Sequence, residues 1–283
     1  MPADVAALVV LSALMHAGWN VLVKRSQDAQ LDSVSFALTA SGLAALILPF
    51  APFPQTDCVP WMAASLLMHV GYFISLIEAY RHADLSVTYP LMRGLAPVLV
   101  TGLAFLAGDS VSYGQGMGIA LVGIGIVLPA WIGLGRQPKS RMGMFFGILN
   151  AVIISLYTLL DGVGVRAAGT AIGYTLWMFF LNGWGILAYT VWQRGAYAVR
   201  THLHAQWRIS LLGASLSIGS YGIVLWAMSR APIASVAALR EVSVVFAAVM
   251  GAWWLHERMG LPRIIGACLV AGGVIMIKLF GSD

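Results

Sequence analysis

The chain has 283 residues, of which 60% are hydrophobic and only 10% are charged, and its mean hydropathy is +0.86. Soluble globular chains average about 25% charged residues, so this composition excludes both a water-soluble globule and an intrinsically disordered protein. Two cysteines are too few for a disulfide framework. The class that remains is an all-α polytopic membrane protein, in which each span needs roughly 20 apolar residues.

Ten apolar runs predict ten transmembrane helices, because each run is too long for a strand and shows no apolar–polar alternation. The predicted spans are residues 5–23, 34–50, 60–79, 85–107, 113–132, 142–165, 172–192, 207–228, 232–255 and 262–280. The longest connection, 193–206, is predicted to be a loop and is too short for a nucleotide-binding domain. ATP-driven pumping by this chain alone is therefore not expected.

The basic residues are distributed unevenly between the two sides of the membrane. Eleven of the 16 Lys and Arg residues lie in connections that follow odd-numbered spans, and three lie on the opposite side. The positive-inside rule then places the odd-to-even connections in the cytoplasm and both termini outside. The net charge of +5 therefore indicates topology rather than nucleic-acid binding, and we expect a multi-pass protein of the cytoplasmic (inner) membrane.

The two halves of the chain share a pattern at an offset of 148 residues. Residues 78–85 match residues 226–233, and Gly118 and Gly125 fall on Gly266 and Gly273. We therefore predict two five-helix repeats, residues 1–136 and 137–283, within one membrane unit. Five spans are an odd number, so the repeats must be inverted, which is the common plan of secondary transporters with a site at the midplane.

Small residues form faces on the fifth and tenth spans, among them Gly114, Gly118, Gly266 and Gly273. Such faces allow two helices to approach closely. They could equally pack the two spans within one chain or form a dimer seam, so both a monomer and a homodimer remain open.

Three features of the chain are found together in one known group of proteins: the two five-helix halves, the short acidic connection before the last span of each half (Asp109 and Glu257), and the first-span run from His16 to Asn20. In these features the chain resembles the drug/metabolite transporter superfamily, in its ten-helix EamA-type branch. The resemblance implies a carrier that moves small metabolites outward without ATP, often amino acids or related solutes, and hence neither an enzyme nor a cofactor-dependent protein. Many members of that branch have both ends in the cytoplasm, whereas the basic residues here predict both ends outside.

Three charged residues lie near the midpoints of predicted spans: Arg93, Arg240 and Glu241. A charge at such depth costs about 2.5–3.5 kcal/mol on insertion scales, so it should be paired or line a wet cavity. The offset places Arg93 on Glu241, so the two halves carry opposite charges at related positions that can approach each other. They could bind a zwitterionic solute, with arginine on its carboxylate and Glu241 on its amine, or Glu241 could carry a coupling proton. The alternative is a buried ion pair that only fixes helix packing.

The first and ninth spans add further candidates. His16, Trp19 and Asn20 fall on one face of the first span, and His16 is either a titratable site residue or a hydrogen-bonding group between helices. Adjacent Arg240 and Glu241 are about 100° apart on a regular helix, so only one of them is expected to face the site squarely.

The fourth span contains two prolines, Pro90 and Pro97, each of which removes one backbone hydrogen bond. The sequence predicts an irregular, solvent-reachable segment around Arg93, with the prolines as hinges and Tyr89 as a further binding candidate. An ordinary proline kink is the alternative. The ninth span has no interior proline, so no irregularity is expected there.

The remaining candidates lie in the sixth and eighth spans. Tyr157 and Asp161 are four residues apart, and Asp161 is either a gate residue or the partner of Arg166 in a surface ion pair. Tyr221 and Trp226 could line the site or serve only in packing. The sequence shows no metal-ligand cluster and no nucleophile elbow. A membrane enzyme acting on a lipid-linked headgroup and a non-transporting assembly subunit remain as alternatives to a carrier.

Overall fold

The computed structural model describes residues 1–24, 28–82, 85–106, 108, 111–133, 141–254 and 260–280, and these residues form a helical bundle. Two short 3-10 helices cover Leu48–Phe50 and Thr56–Cys58. The α-helices are α1 (Ala3–Lys24), α2 (Ala29–Ile47), α3 (Val59–His82), α4 (Leu85–Leu106), α5 (Tyr113–Gly133), α6 (Arg141–Ala167), α7 (Ala171–Arg194), α8 (Ala196–Ala205), α9 (Trp207–Met228), α10 (Ile233–Arg240), α11 (Val242–Trp254) and α12 (Leu261–Leu279).

Each of the ten apolar runs is helical, with α10 and α11 together covering the ninth run, and α8 lies between the seventh and eighth runs. The helix ends differ from the ends of the predicted spans by at most five residues. Within the described part of the chain, seven helical stretches are long and apolar enough to cross a membrane, and three shorter apolar helices accompany them. The shorter ones cover Pro90–Leu106, Tyr113–Pro129 and Ile264–Leu279. The prediction of an all-α, multi-pass membrane protein is confirmed.

Local capping explains where two helices begin. The Asp28 carboxylate accepts a hydrogen bond from the backbone N–H of Leu31 at the start of α2, and the Thr170 hydroxyl does the same for Gly173 at the start of α7. Gly195 ends α7 with φ +81°, a left-handed conformation that favours glycine. The chain then turns directly into α8, so the prediction of a loop over 193–206 is wrong.

The fourth and ninth spans differ from expectation. Helix α4 is continuous through Pro90 and Pro97, so the predicted irregular segment around Arg93 is not present. Each proline removes only one hydrogen bond, and packing of α4 against α5 and α6 maintains the helix. The ninth span is instead interrupted at Glu241, which separates α10 from α11.

The interruption at Glu241 is one residue long and has 3-10 character. The Glu241 N–H donates to the carbonyl of Ala238, and the Val244 N–H donates to the carbonyl of Glu241, so both bonds span three residues instead of four.

The two halves pack through reciprocal pairs of helices. Helix α1 lies against α9 and α11, while α6 lies against α3 and α4. Helix α2 packs on α7, and α5 packs on α12. Each of these contacts joins the first half of the chain to the second, so the core is built largely between the halves.

The α5–α12 seam is the closest of these contacts. A Cβ on Gly118 would lie 2.7 Å from the Gly273 carbonyl oxygen, and one on Gly125 would lie 2.7 Å from that of Gly266. Position 118 meets 273 while 125 meets 266, so the two helices are antiparallel. The small-residue faces are therefore used for packing within one chain.

The connections at one end of the bundle are tied together by polar contacts. His202 on α8 lies 2.5 Å from the Asp32 carboxylate on α2, and Arg194 lies 3.3 Å from that of Asp28. These contacts join the connection after the first span to the connection after the seventh.

At the other end, the N–H of Gln55 donates to the carbonyl of Ala168. The Arg166 guanidinium donates to the carbonyls of Met228 and Ala231. These bonds join the connections after the second, sixth and eighth spans.

Candidate functional site

The centre of the bundle contains a buried ion pair between the two halves. A terminal guanidinium nitrogen of Arg93 on α4 lies 2.8 Å from Oε1 of Glu241, and the two side chains are 8% and 6% exposed. The predicted approach of Arg93 to Glu241 is thereby confirmed. Among the described residues, the second carboxylate oxygen, Oε2, has no hydrogen-bond partner.

Arg240 contacts a different set of residues. One of its terminal nitrogens donates to Nδ1 of His16 on α1 at 3.2 Å, and its guanidinium carbon lies 5.4 Å from the ring centre of Tyr221 on α9. Arg240 and Glu241 are thus both buried and have different partners, and the expectation that only one of them faces the site squarely stays a prediction.

The hydrogen bonds define the tautomer of His16. Its Nδ1 accepts from the indole N–H of Trp19 at 3.1 Å and from Arg240. Both partners are donors only, so Nδ1 must present its lone pair and the ring hydrogen is on Nε2. A proton on Nδ1 would require both donors to withdraw.

Asp161 on α6 lies in a separate pocket of hydroxyl groups and is completely buried. The Tyr174 hydroxyl donates to its Oδ1 at 3.1 Å, and the Tyr221 hydroxyl donates to its Oδ2. The proposal of a surface ion pair with Arg166 is wrong, because Arg166 binds backbone carbonyls and Asp161 is not at the surface.

Tyr221 connects the two groups, since its hydroxyl binds Asp161 and its ring lies beneath Arg240. We refer to the connected side chains as the polar centre. Its members are His16, Arg93, Asp161, Tyr174, Tyr221, Arg240 and Glu241.

An aromatic layer borders the polar centre on α3 and α6. The His69 ring lies 4.3 Å from that of Tyr157 and 6.5 Å from that of Tyr221. His69 Nδ1 is 2.9 Å from the carbonyl oxygen of Ser65, which can only accept, so Nδ1 carries the hydrogen and Nε2 is the remaining nitrogen. Tyr157 therefore lies beside the polar centre, and its role in substrate binding stays a prediction.

Sequence reasoning missed two residues of this region, His69 and Tyr174. His69 could have been found by the rule that identified Arg93, since an ionisable residue within an apolar span is a candidate by default. Tyr174 carries no such signal, because a tyrosine near the end of a span is usually interfacial. Only the contact with Asp161 reveals it.

Other predicted residues lie outside the polar centre. The Asn20 amide donates to the carbonyl of His16 within α1. Trp226, near the end of α9, lies beneath the guanidinium of Arg230 at 4.8 Å. The side chain of Tyr89 lies outside the described residues.

The polar centre balances two arginines with two carboxyl groups. It offers donors and acceptors in one buried region, including Oε2 of Glu241 and Nε of Arg240, which lack hydrogen-bond partners among the described residues. No group of three or more His, Cys, Asp or Glu residues that could hold a metal occurs in the described part of the chain. The arrangement is suited to binding a polar solute with charges of both signs.

Comparisons with known proteins support the sequence resemblance. One crystal structure, of a protein whose description names no function, superposes on this chain with a TM-score of 0.72. The superposition covers 97% of this chain and 95% of that chain at 14% sequence identity, which shows a shared fold. No curated protein has a significant sequence match to the chain. The model of the EamA-like transporter family matches residues 141–279, and the predicted membership of the EamA-type branch is confirmed. This segment is thus similar to the EamA-like transporter family, a family of membrane transporters.

Proposed function

We propose that the protein is a secondary transporter of the cytoplasmic membrane, which exports a small zwitterionic metabolite such as an amino acid by alternating access. The substrate binds at the polar centre between α4 and the α10–α11 interruption. The observation that carries the proposal is the Arg93–Glu241 pair at 2.8 Å, beside which Oε2 of Glu241 has no partner among the described residues.

The proposed architecture is ten spans in two inverted repeats, residues 1–136 and 137–283. The offset of 148 exchanges Gly118 with Gly266 and Gly125 with Gly273. When both residues of the contact between positions 118 and 273 are exchanged in this way, the result is the contact between positions 266 and 125, which also occurs. A two-fold axis between the halves would require this equivalence. The reciprocal packing of α1 and α6 follows the same exchange. The family match over 141–279 also falls within a single predicted repeat.

The proposed orientation has both termini outside. It is supported by contacts between connections that the distribution of basic residues assigns to one side. The contact of His202 with Asp32 joins two connections predicted to be cytoplasmic, and that of Gln55 with Ala168 joins two predicted to be external.

A zwitterion can replace the internal ion pair without changing the charge of the site. Its carboxylate would take the place of Glu241 beside Arg93, and its ammonium group would bind the released Glu241 carboxylate. A solute with a single charge would leave one buried group of the pair uncompensated, which is costly in a region of low dielectric. The empty and occupied sites are then both neutral.

Movement is proposed to occur at the interruption between α10 and α11. The hydrogen bonds around Glu241 span three residues instead of four, so the regular α-helix is already interrupted there. A change in helix direction at this point would therefore break no further α-helical hydrogen bonds. Pro90 and Pro97 remain proposed bending points in α4, which lies against α10. Breaking the Arg93–Glu241 pair on substrate binding would release the two helices from each other.

The test is counterflow of radiolabelled amino acids in liposomes that contain only the purified protein. We expect exchange by wild type and loss of exchange in Arg93→Ala and Glu241→Gln. Glu78→Gln is the matched control, because Glu78 forms an exposed pair with Arg81 at the end of α3. N-acetylated and amidated amino acids should not compete, since each lacks one charge. Absence of flux across amino acids and other small metabolites would overturn the proposal.

A further inference from the structure

We propose that Asp161 is the proton-binding residue of the transporter, and that Tyr221 transmits its protonation to Arg240. The inference rests on the proposed function, because a coupling proton presupposes a carried solute. It assigns the coupling role to Asp161 and a different role, that of the substrate-exchanged ion pair, to Glu241.

The surroundings of the two buried carboxyl groups differ. Glu241 has a guanidinium nitrogen at 2.8 Å, so its negative charge is compensated while the site is empty. Asp161 is completely buried, and among the described residues no cationic side chain lies within ion-pair distance of it. Only neutral hydroxyl groups donate to its oxygens. A carboxylate without a counter-ion inside a membrane protein is the group that a proton can neutralise without breaking an ion pair.

Titratable or charged groups also reach this region from each helix that packs on α6. The Ser65 hydroxyl on α3 is a further donor to Asp161, the His69 ring on α3 also lies near Asp161, and the thiol of Cys58 lies near Tyr174. The full set is His69 on α3, Arg93 on α4, Tyr157 and Arg166 on α6, Tyr174 on α7, Tyr221 on α9, Arg240 on α10 and Cys58 in the 3-10 helix. Arg93 is occupied by Glu241, and Arg166 binds carbonyls of the next connection.

Protonation changes the hydrogen bonding in a defined way. The ionised carboxylate accepts hydrogen bonds from Tyr174 at Oδ1 and from Tyr221 at Oδ2, and the Ser65 hydroxyl is a third neutral donor. When a proton adds to one oxygen, that oxygen becomes a donor, and the tyrosine facing it must turn its hydroxyl or move away. No other bond is made or broken, and the proton is released unchanged when Asp161 ionises again.

The packing selects Tyr221 as the residue that moves. Tyr174 is completely buried, and a Cβ on Gly164 would lie 2.5 Å from its hydroxyl, so its ring is closely confined. Tyr221 is only partly buried, and its ring lies beneath Arg240. A shift of Tyr221 therefore alters the support of the Arg240 guanidinium, which also binds His16. Protonation at Asp161 can in this way change the affinity of the substrate site.

The first experiment detects the proton without any substrate. Infrared difference spectra of the purified protein, recorded while the pH is changed, should show the carbonyl stretch of a protonated buried carboxyl group. We expect this band to be lost in Asp161→Asn, retained in Glu241→Gln, and shifted in Tyr221→Phe, which removes one donor to the carboxyl group. A wild-type protein without a titrating band, or a band that survives Asp161→Asn or disappears in Glu241→Gln, would overturn the proposal.

The second experiment measures coupling in liposomes with labelled amino acids as the probe. For wild type, a pH gradient with an acidic lumen should raise uptake above the value without a gradient. This ratio should fall to one in Asp161→Asn and Tyr221→Phe, but not in Glu78→Gln, which changes only an exposed ion pair at the end of α3. A ratio above one in Asp161→Asn contradicts the assignment. Failure of wild type to exchange any solute counts against the proposed function, while the infrared band still decides the proton site.

Discussion

The α5–α12 seam and the polar centre both join the two halves of the chain, but they follow the proposed internal repeat to different degrees. In the seam, glycines at positions separated by 148 residues make equivalent contacts, Gly118 with Gly273 and Gly125 with Gly266. In the polar centre, related positions carry opposite charges, Arg93 and Glu241, on a continuous helix in one half and at an interruption in the other. Close packing needs the same small residue on both sides, whereas an ion pair needs unlike partners.

The difference indicates a division of labour within one fold. The seam brings the backbones of α5 and α12 close together and leaves little freedom for movement, so we expect it to stay fixed during transport. The polar centre contains side chains that can exchange one partner for another. We therefore expect changes in the seam to affect folding alone, and changes in the polar centre to affect both stability and transport.

The largest effect is expected from removing one partner of the central ion pair. Arg93→Ala leaves Glu241 buried without its guanidinium, which should lower the free energy of unfolding by about 3–5 kcal/mol. Denaturant titration in mixed micelles measures this. The double variant Arg93→Met/Glu241→Met should recover most of the loss, and simple addition of the two single effects would show that the pair is not coupled.

A smaller effect is expected in the seam. In Gly273→Ala the new methyl group would lie 2.5 Å from the carbonyl oxygen of Gly118, so the helices must separate, at a cost of about 1–3 kcal/mol. Gly116→Ala on α5 is the control, because no atom lies within 4 Å of its added Cβ. Equal unfolding free energies for the two variants would contradict close packing at the seam.

Within the polar centre, Trp19→Phe removes only the indole donor to His16. The loss of one hydrogen bond should cost about 0.5–1.5 kcal/mol. Nitrogen NMR of labelled histidine should show an unprotonated Nδ1 in both wild type and the variant, since Arg240 still donates to it. A protonated Nδ1 in wild type would contradict the assigned tautomer and the Arg240 contact with it.

The smallest effect is expected for a charge at the end of a helix. Arg81 lies 2.6 Å from Glu78, but its side chain is 55% exposed, so solvent screens the pair. Arg81→Ala should change the free energy of unfolding by roughly 0.2–0.5 kcal/mol. A loss comparable to that of Arg93→Ala would show that depth in the bundle does not control the contribution of a charge.

Some of these features could be predicted because they depend on local composition or on the repeat. A span is defined by the length and apolarity of one segment, so the helix positions followed from hydropathy. The approach of Arg93 to Glu241 followed from the offset, which relates the two positions without knowledge of the packing.

Other features depend on contacts between distant segments. Two prolines left α4 continuous, while Glu241 interrupts a span without interior proline. Neighbouring helices can maintain a helix despite a missing bond, and no property of a single segment reports this. Asp161 was ambiguous for the same reason, because its two tyrosine donors come from α7 and α9.

The sequence by itself determined the class of the protein, the approximate span positions and the charges that must be accommodated within the bundle, because apolarity and the cost of buried charge act on each segment separately. The tertiary structure decided which of those charges meet. It paired Arg93 with Glu241, placed Arg240 between His16 and Tyr221, and surrounded Asp161 with hydroxyl groups. These partners lie on different helices, and only the packing of the two halves brings them within hydrogen-bonding distance.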